Sequence, residues 1–165
     1  MSTKNKSVIA SDTWLTPKDF YEELNKRFRF DEFDPCPPDN DIELFDGLKV
    51  DWAGITFCNP PYSKTLKEKF IYKAYEESLK GKLIVLLLPV STGTKIFHDL
   101  IQPKAKIEFI RGRMRFEGVD KDGNWVNPNC GSYRLTNIPE NANQIIRSGQ
   151  NDSMLVIFDG KNYDF

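Results

Sequence analysis

The chain has 165 residues, 39% hydrophobic and 28% charged, which suits one globular domain and excludes a disordered or fibrous polypeptide. Its 23 Lys and Arg against 24 Asp and Glu leave a formal charge of −1, which excludes a uniformly basic nucleic-acid coat but not a local basic patch. Cys36, Cys58 and Cys130 form no CxxC pair, so neither a zinc knuckle nor a disulfide framework is expected.

Along the chain, residues 1–11 are polar and lack an apolar signal segment. Thr16-Pro17 then opens a helix, with Thr16 suited to the N-cap and Pro17 to the first helical position. Phe20, Leu24 and Phe28 repeat every four residues and mark its buried face. Phe30 to Phe33 reads as a short strand running into Asp34-Pro35-Cys36-Pro37-Pro38, where the prolines stop regular structure. Residues 39–54 are irregular, with a turn at Asp46-Gly47. Ile55 to Cys58 is a buried strand ending in Asn59-Pro60-Pro61-Tyr62.

A helix follows over about Thr65 to Leu79, with Leu66, Phe70, Ile71, Ala74 and Leu79 as its apolar side and Gly81 closing it. Leu83 to Leu88 is continuously apolar, the mark of a strand covered on both faces. It falls far short of the ~20 residues of a membrane span, and a soluble cytoplasmic protein is expected. A helix over Thr94 to Ile101, strands over Lys106–Arg111 and Arg113–Glu117, and a last strand over Met154 to Phe158 complete the pattern. Residues 118–150 are a long polar excursion within the one domain. The alternation of strands and helices between 55 and 111 predicts an α/β fold, a mostly parallel sheet with helices on both faces.

In such sheets ligands bind outside the carboxyl ends of strands, which is where Asp34-Pro35-Cys36 and Asn59-Pro60-Pro61-Tyr62 fall. Two consecutive prolines make a rigid turn that lacks two backbone donors. Beside them, the Asn59 side-chain oxygen and the Pro60 carbonyl can each accept from an exocyclic amino group, directing its lone pair at a methyl donor, while Tyr62 stacks on the ring. The plain alternative is an ordinary Pro-rich turn. Arg111, Arg113 and Arg115 alternate along the expected strand and would share one face, a candidate DNA surface unless they pair with nearby acids. Lys64, Lys67, Lys69 and Lys73 on the helix are either a solvated face or a DNA-facing one. His98, the one histidine, reads as structural, and Cys36 as a small packing residue.

Phe57-Cys58-Asn59-Pro60-Pro61-Tyr62 resembles the catalytic motif of amino-group methyltransferases that use S-adenosylmethionine (SAM). More of the chain resembles one family, the phage-type DNA N6-adenine methyltransferases (phage Dam family). The matching segments are Ser11 to Pro17, Phe33-Asp34-Pro35-Cys36, Asp46-Gly47-Leu48 with Trp52, Leu87-Leu88-Pro89, Phe97-His98-Asp99 and Phe109 to Arg113. The resemblance implies a Rossmann-like SAM-dependent methyltransferase fold and methyl transfer to adenine N6, with the target base flipped out of double-stranded DNA and no metal required. It implies SAM contacts from Thr13, Trp14, Thr16 and Pro17, from Asp34, Pro35 and Cys36, and from Asp46 and Asn59, with catalysis at Asn59, Pro60, Pro61 and Tyr62. Trp14 could equally be a core residue and Asp46 a simple turn residue. Pro37-Pro38 stands where methyltransferases commonly have a Gly-x-Gly turn. If the gene belongs to a phage, the host cytoplasm is the expected location. The alternatives are an amino-group methyltransferase acting on RNA or on a protein glutamine, and a non-catalytic module that binds SAM or nucleic acid.

Overall fold

The computed structural model describes residues 16–37, 45–114, 116, 118–119, 125–126, 134–135, 145–146 and 152–163. Thr13, Trp14, Arg115 and Cys130, and with them the expectations placed on those residues, lie outside this set. The elements in chain order are α1 (Lys18–Phe28), β1 (Ile55–Cys58), α2 (Lys64–Leu79), β2 (Leu83–Pro89), a π-helical turn (Phe97–Ile101) continuing into the short α3 (Gln102–Lys104), and β3 (Lys106–Phe109). Four two-residue strands follow, β4 (Gly118–Val119), β5 (Trp125–Val126), β6 (Arg134–Leu135) and β7 (Ile145–Ile146), and then the long β8 (Ser153–Asp159).

The main sheet has the order β1-β2-β8-β3. β1 and β2 run parallel, whereas β8 is antiparallel to β2 and to β3. Three strands therefore point one way, and the reversed β8 lies between two of them. The expectation of a mostly parallel sheet is corrected to a mixed one. The physical reason lies in β8: seven consecutive residues pair in register with all seven of β2, from Leu83 opposite Asp159 to Pro89 opposite Ser153. Both strands bury their first six residues, so each needs cover on both faces and neighbours on both sides.

The period-two alternation of these strands divides the core into two layers. On one face Ile84, Leu86 and Leu88 of β2 join Met154, Val156 and Phe158 of β8 against Phe70, Ile71 and Ala74 of α2 and Phe97, Leu100 and Ile101 of the π-helical turn. On the other, Leu83, Val85 and Leu87 join Leu155 and Ile157 against Leu24 and Phe28 of α1, with Phe57, Met114 and Phe116. Helices thus cover both faces, as the alternation in the sequence requires. α1 is also pinned to β3 by Arg27, whose two terminal nitrogens each donate to a Glu108 oxygen at 2.7 Å. It ends where Arg29 takes a left-handed conformation, φ 57°.

Three expected features differ. Phe30 to Phe33 is not a strand: it follows the edge of β1 through Asp31, whose N–H donates to the Ile55 carbonyl and whose side chain accepts from the Ile55 N–H. No strand covers Arg113 and Met114, which lie in irregular chain after Gly112 turns it at φ 78°. Leu79, at the end of α2, is exposed rather than on its apolar side. Gly81 does close α2 in a left-handed conformation, φ 84°, and its N–H donates to the Ser78 carbonyl.

One charge is fully enclosed. Glu77 of α2 pairs with Lys73 at 2.8 Å, with Lys80 at 3.1 Å and with Lys82. Burial pushes its carboxyl up, but the three ammonium groups outweigh this and bring it down to about 2. Lys82 also donates to the Trp52 carbonyl, and the Trp52 indole N–H donates to the Gly47 carbonyl at 2.7 Å. Gly47 lies so close to Pro35 that a Cβ there would stand 1.8 Å from the Pro35 carbonyl oxygen. A continuous line of contacts thus joins the buried charge to the two loops discussed next.

Candidate functional site

The site begins at the carboxyl end of β1. Thr56, Phe57 and Cys58 are buried, and Asn59 follows where the strand leaves the sheet. Pro60 and Pro61 are buried and fix the turn, while Asn59 and Tyr62 remain partly open. The Tyr62 ring meets Phe116 edge-on, with centroids 5.7 Å apart and planes at 85°. This contact joins two distant parts of the chain, and nothing in the spacing of the sequence announces it. Burial raises the Tyr62 phenol well above its ordinary range, so it stays neutral.

α1 brings a second segment to the same place. Tyr21 packs edge-on against Phe57, with centroids 5.4 Å apart. One turn earlier, the Thr16 hydroxyl accepts from the Asn59 side-chain nitrogen at 3.2 Å. Pro17 rather than Thr16 occupies the N-cap, and the cap makes no side-chain hydrogen bond. The expected capping role of Thr16 is thereby corrected. Proline fixes the entry to the helix and supplies no donor, so the Thr16 side chain turns to Asn59.

The loops 34–36 and 46–48 form the third part. Asp34 Oδ1 accepts from the Cys36 N–H at 2.8 Å, and Asp46 Oδ1 accepts from the Leu48 N–H at 3.0 Å. These are Asx turns, the ordinary means by which Asp shapes a loop. The close fit of Gly47 on Pro35 sets the two loops side by side. Asp34 keeps an open surface, yet desolvation raises its carboxyl above the ordinary value, with the Cys36 N–H opposing. Both hold for a group in a recess, where solvent reaches the atom while protein fills most of the surrounding volume. Its second oxygen has no hydrogen-bond partner among the described residues. Cys58 is fully buried, and burial, then Cys36 and Asp34, push its thiol well up. It is a neutral packing group, not a nucleophile.

Thr16, Asp34, Cys36 and the Asn59–Tyr62 turn therefore gather around the end of β1, with Pro17 and Pro35 as backbone supports and Asp46 on the neighbouring loop that Gly47 seats against Pro35. Tyr21 belongs there too, its phenol raised by burial and by Asp34. Its position on α1 next to Phe20 was the available signal. Arg111 and Arg113 are exposed, but the shared strand face expected for them is not present. Arg113 lies 3.7 Å from Asp152 in a surface pair. Lys73, a candidate for a DNA-facing helix side, is instead turned to Glu77. Among the described residues no group of His, Cys, Asp and Glu could hold a metal ion, and no helix is long and apolar enough to cross a membrane.

No curated protein and no solved structure matches the chain. The family model described as DNA N-6-adenine-methyltransferase (Dam) matches residues 2–163, nearly the whole sequence. With the Asn59-Pro60-Pro61-Tyr62 turn at the end of a buried strand, the chain belongs to the DNA N-6-adenine-methyltransferase (Dam) family, whose activity is methyl transfer to N6 of adenine in DNA.

Proposed function

We propose that this adenine methyltransferase takes SAM as its methyl donor, holds it against Asp34 and Asp46, and receives a flipped-out adenine at Asn59 to Tyr62. The observation that carries this reading is the Asn59 amide, tied to Thr16 at 3.2 Å beside two buried prolines. The donor set suits SAM. Its ammonium, ribose hydroxyls and adenine amino group are hydrogen-bond donors, and the two loops offer the carboxylates of Asp34 and Asp46. The Asp34 oxygen that has no hydrogen-bond partner among the described residues, in a partly desolvated position, suits a cationic ammonium. Thr13, Trp14 and Pro17 would border the same molecule, as would Pro35, Cys36 and Asn59, whereas the Thr16 hydroxyl is directed to Asn59. A Rossmann-like fold is supported by the parallel β1–β2 pair, by helices on both faces and by polar loops at the carboxyl end of β1.

When bound, SAM would supply an electrophilic methyl group on sulfur, the S–CH3 bond breaking as the N6–CH3 bond forms and the thioether leaving. The chain orients the acceptor. Asn59 Oδ1 and the Pro60 carbonyl accept the two N6–H bonds, which turns the nitrogen lone pair toward the methyl group. Tyr62 stacks on the extruded base, returning on the order of 1–3 kcal/mol of the cost of unstacking. The extra proton on N6 is passed to solvent. Arg111, Arg113 and Arg115 would contact phosphates, which position DNA without reading its sequence.

Labelled SAM offered in parallel to DNA, RNA and protein should label DNA alone, and modified-base sequencing of DNA from expressing cells should find N6-methyladenine. Asn59→Ala should lower the single-turnover rate by roughly 10²–10³-fold, the scale of one lost transition-state contact, with SAM affinity much less affected. A near-parental rate would mean that the amine is held elsewhere.

A further inference from the structure

We infer that Thr16 is a positioning residue for the methyl-transfer step, acting through Asn59 rather than through the cofactor. The inference rests on the reading of Asn59 as the group that accepts from the target amine. A carboxamide on a strand end can rotate about its terminal torsion, and its two faces differ: one offers donors, the other an acceptor. Only the acceptor can receive an N6–H bond. In the structure the Thr16 hydroxyl accepts from Asn59 Nδ2 at 3.2 Å, so the donor end lies toward the start of α1 and Oδ1 points away from it.

Three observations make this bond a built feature. Thr16 and Asn59 are 43 positions apart, so chain connectivity does not bring them together. Their juxtaposition follows from packing: Leu24 and Phe28 seat α1 on the sheet face, and Tyr21 meets Phe57, two residues before Asn59. The hydroxyl has no capping duty, since α1 starts after Pro17 without a side-chain cap. Pro17 also biases the backbone of Thr16 away from the helical region, which lowers the entropic cost of presenting its side chain from an extended segment.

The test uses the full-length enzyme with Thr16→Val, Thr16→Ser, Asn59→Ala and the Thr16→Val/Asn59→Ala pair. It reads single-turnover methylation of a DNA duplex, calorimetric affinity for SAM, and the melting temperature. Thr16→Val should slow methyl transfer about 10-fold, the scale of one lost hydrogen bond, with SAM affinity held within ~2-fold. Thr16→Ser should restore the rate to within ~2-fold of the parent. In the Asn59→Ala background, Thr16→Val should have no further effect, because its only route to the reaction is gone. Parallel loss of rate and SAM affinity in Thr16→Val, failure of Thr16→Ser to rescue, or an additive effect in the pair would each overturn the inference. If Thr16→Val lowers the melting temperature, the additivity of rates at a temperature where all variants are folded decides the matter. Normal turnover in Asn59→Ala would instead remove the underlying reading of Asn59. A damaged Asn59→Ala beside a normal Thr16→Val would remove the role of Thr16 alone.

Discussion

Replacing Glu77 by Gln tests how the buried charge supports the site. The carboxylate is 0% exposed and faces Lys73 and Lys82, each 17% exposed, and Lys80, 50% exposed. Its carboxyl is held at about 2 against an ordinary 4.5. At ~1.4 kcal/mol per pH unit this corresponds to roughly 3 kcal/mol of stability at neutral pH. Because the folded-state value is depressed, that stability is fully present above about pH 4.5 and is lost as the pH falls toward about 2. Glu77→Gln removes it at every pH and leaves two poorly solvated ammonium groups without a counter-charge. Lys80 can turn wholly to Asp51, already 2.7 Å away, so the cost should sit near the lower end of the 3–5 kcal/mol typical of a broken buried pair, about 3 kcal/mol. For a domain of this size that is a fall in melting temperature of roughly 6–12 °C at pH 7. Thermal melts of parent and variant between pH 2 and 8 should show the gap closing on acidification. A melting temperature within ~2 °C of the parent at pH 7 would refute the reasoning, since it would mean that the three lysines do not depend on Glu77.

Gly47→Ala should weaken SAM binding and lower stability, because the new methyl would meet the Pro35 carbonyl oxygen at 1.8 Å and force the two loops apart; calorimetry and melting measured together check this, and an unperturbed variant would show that the loops move apart freely. SAM affinity should fall on acidification at a pH above the ordinary Asp34 value of 3.8, because desolvation favours the neutral acid, and Asp34→Asn should flatten that dependence. Arg113→Ala should change stability by no more than ~0.5 kcal/mol, its pair with Asp152 being solvent-exposed, while DNA affinity and its salt dependence both decrease. Unchanged DNA binding, measured as a salt titration by fluorescence anisotropy, would take Arg113 off the DNA surface.

Periodicity alone was enough for the elements that bury a continuous face. Phe20, Leu24 and Phe28 announced α1, the run after Lys82 announced β2, and Met154 to Phe158 announced β8, because a buried side chain must repeat with the geometry of its element. The Asn59-Pro60-Pro61-Tyr62 turn was legible for a related reason: two prolines restrict the backbone whatever surrounds them. Other features depend on partners remote in the chain. Nothing local in Ser153–Asp159 says that it runs antiparallel between β2 and β3, since direction is decided by the path by which the chain re-enters the sheet between those strands. The residues after Phe30 carry a strand-like composition but pair with β1 through a single backbone bond, and the Arg-rich stretch turns at Gly112. The bond from Asn59 to Thr16, the contact of Phe116 with Tyr62 and the seating of Gly47 on Pro35 exist only once α1, the sheet and the loops are packed. The chain alone set which candidate residues lie in rigid or periodic segments; tertiary packing decided which of them meet, because a hydrogen bond or ring contact between distant segments has no period for the sequence to display.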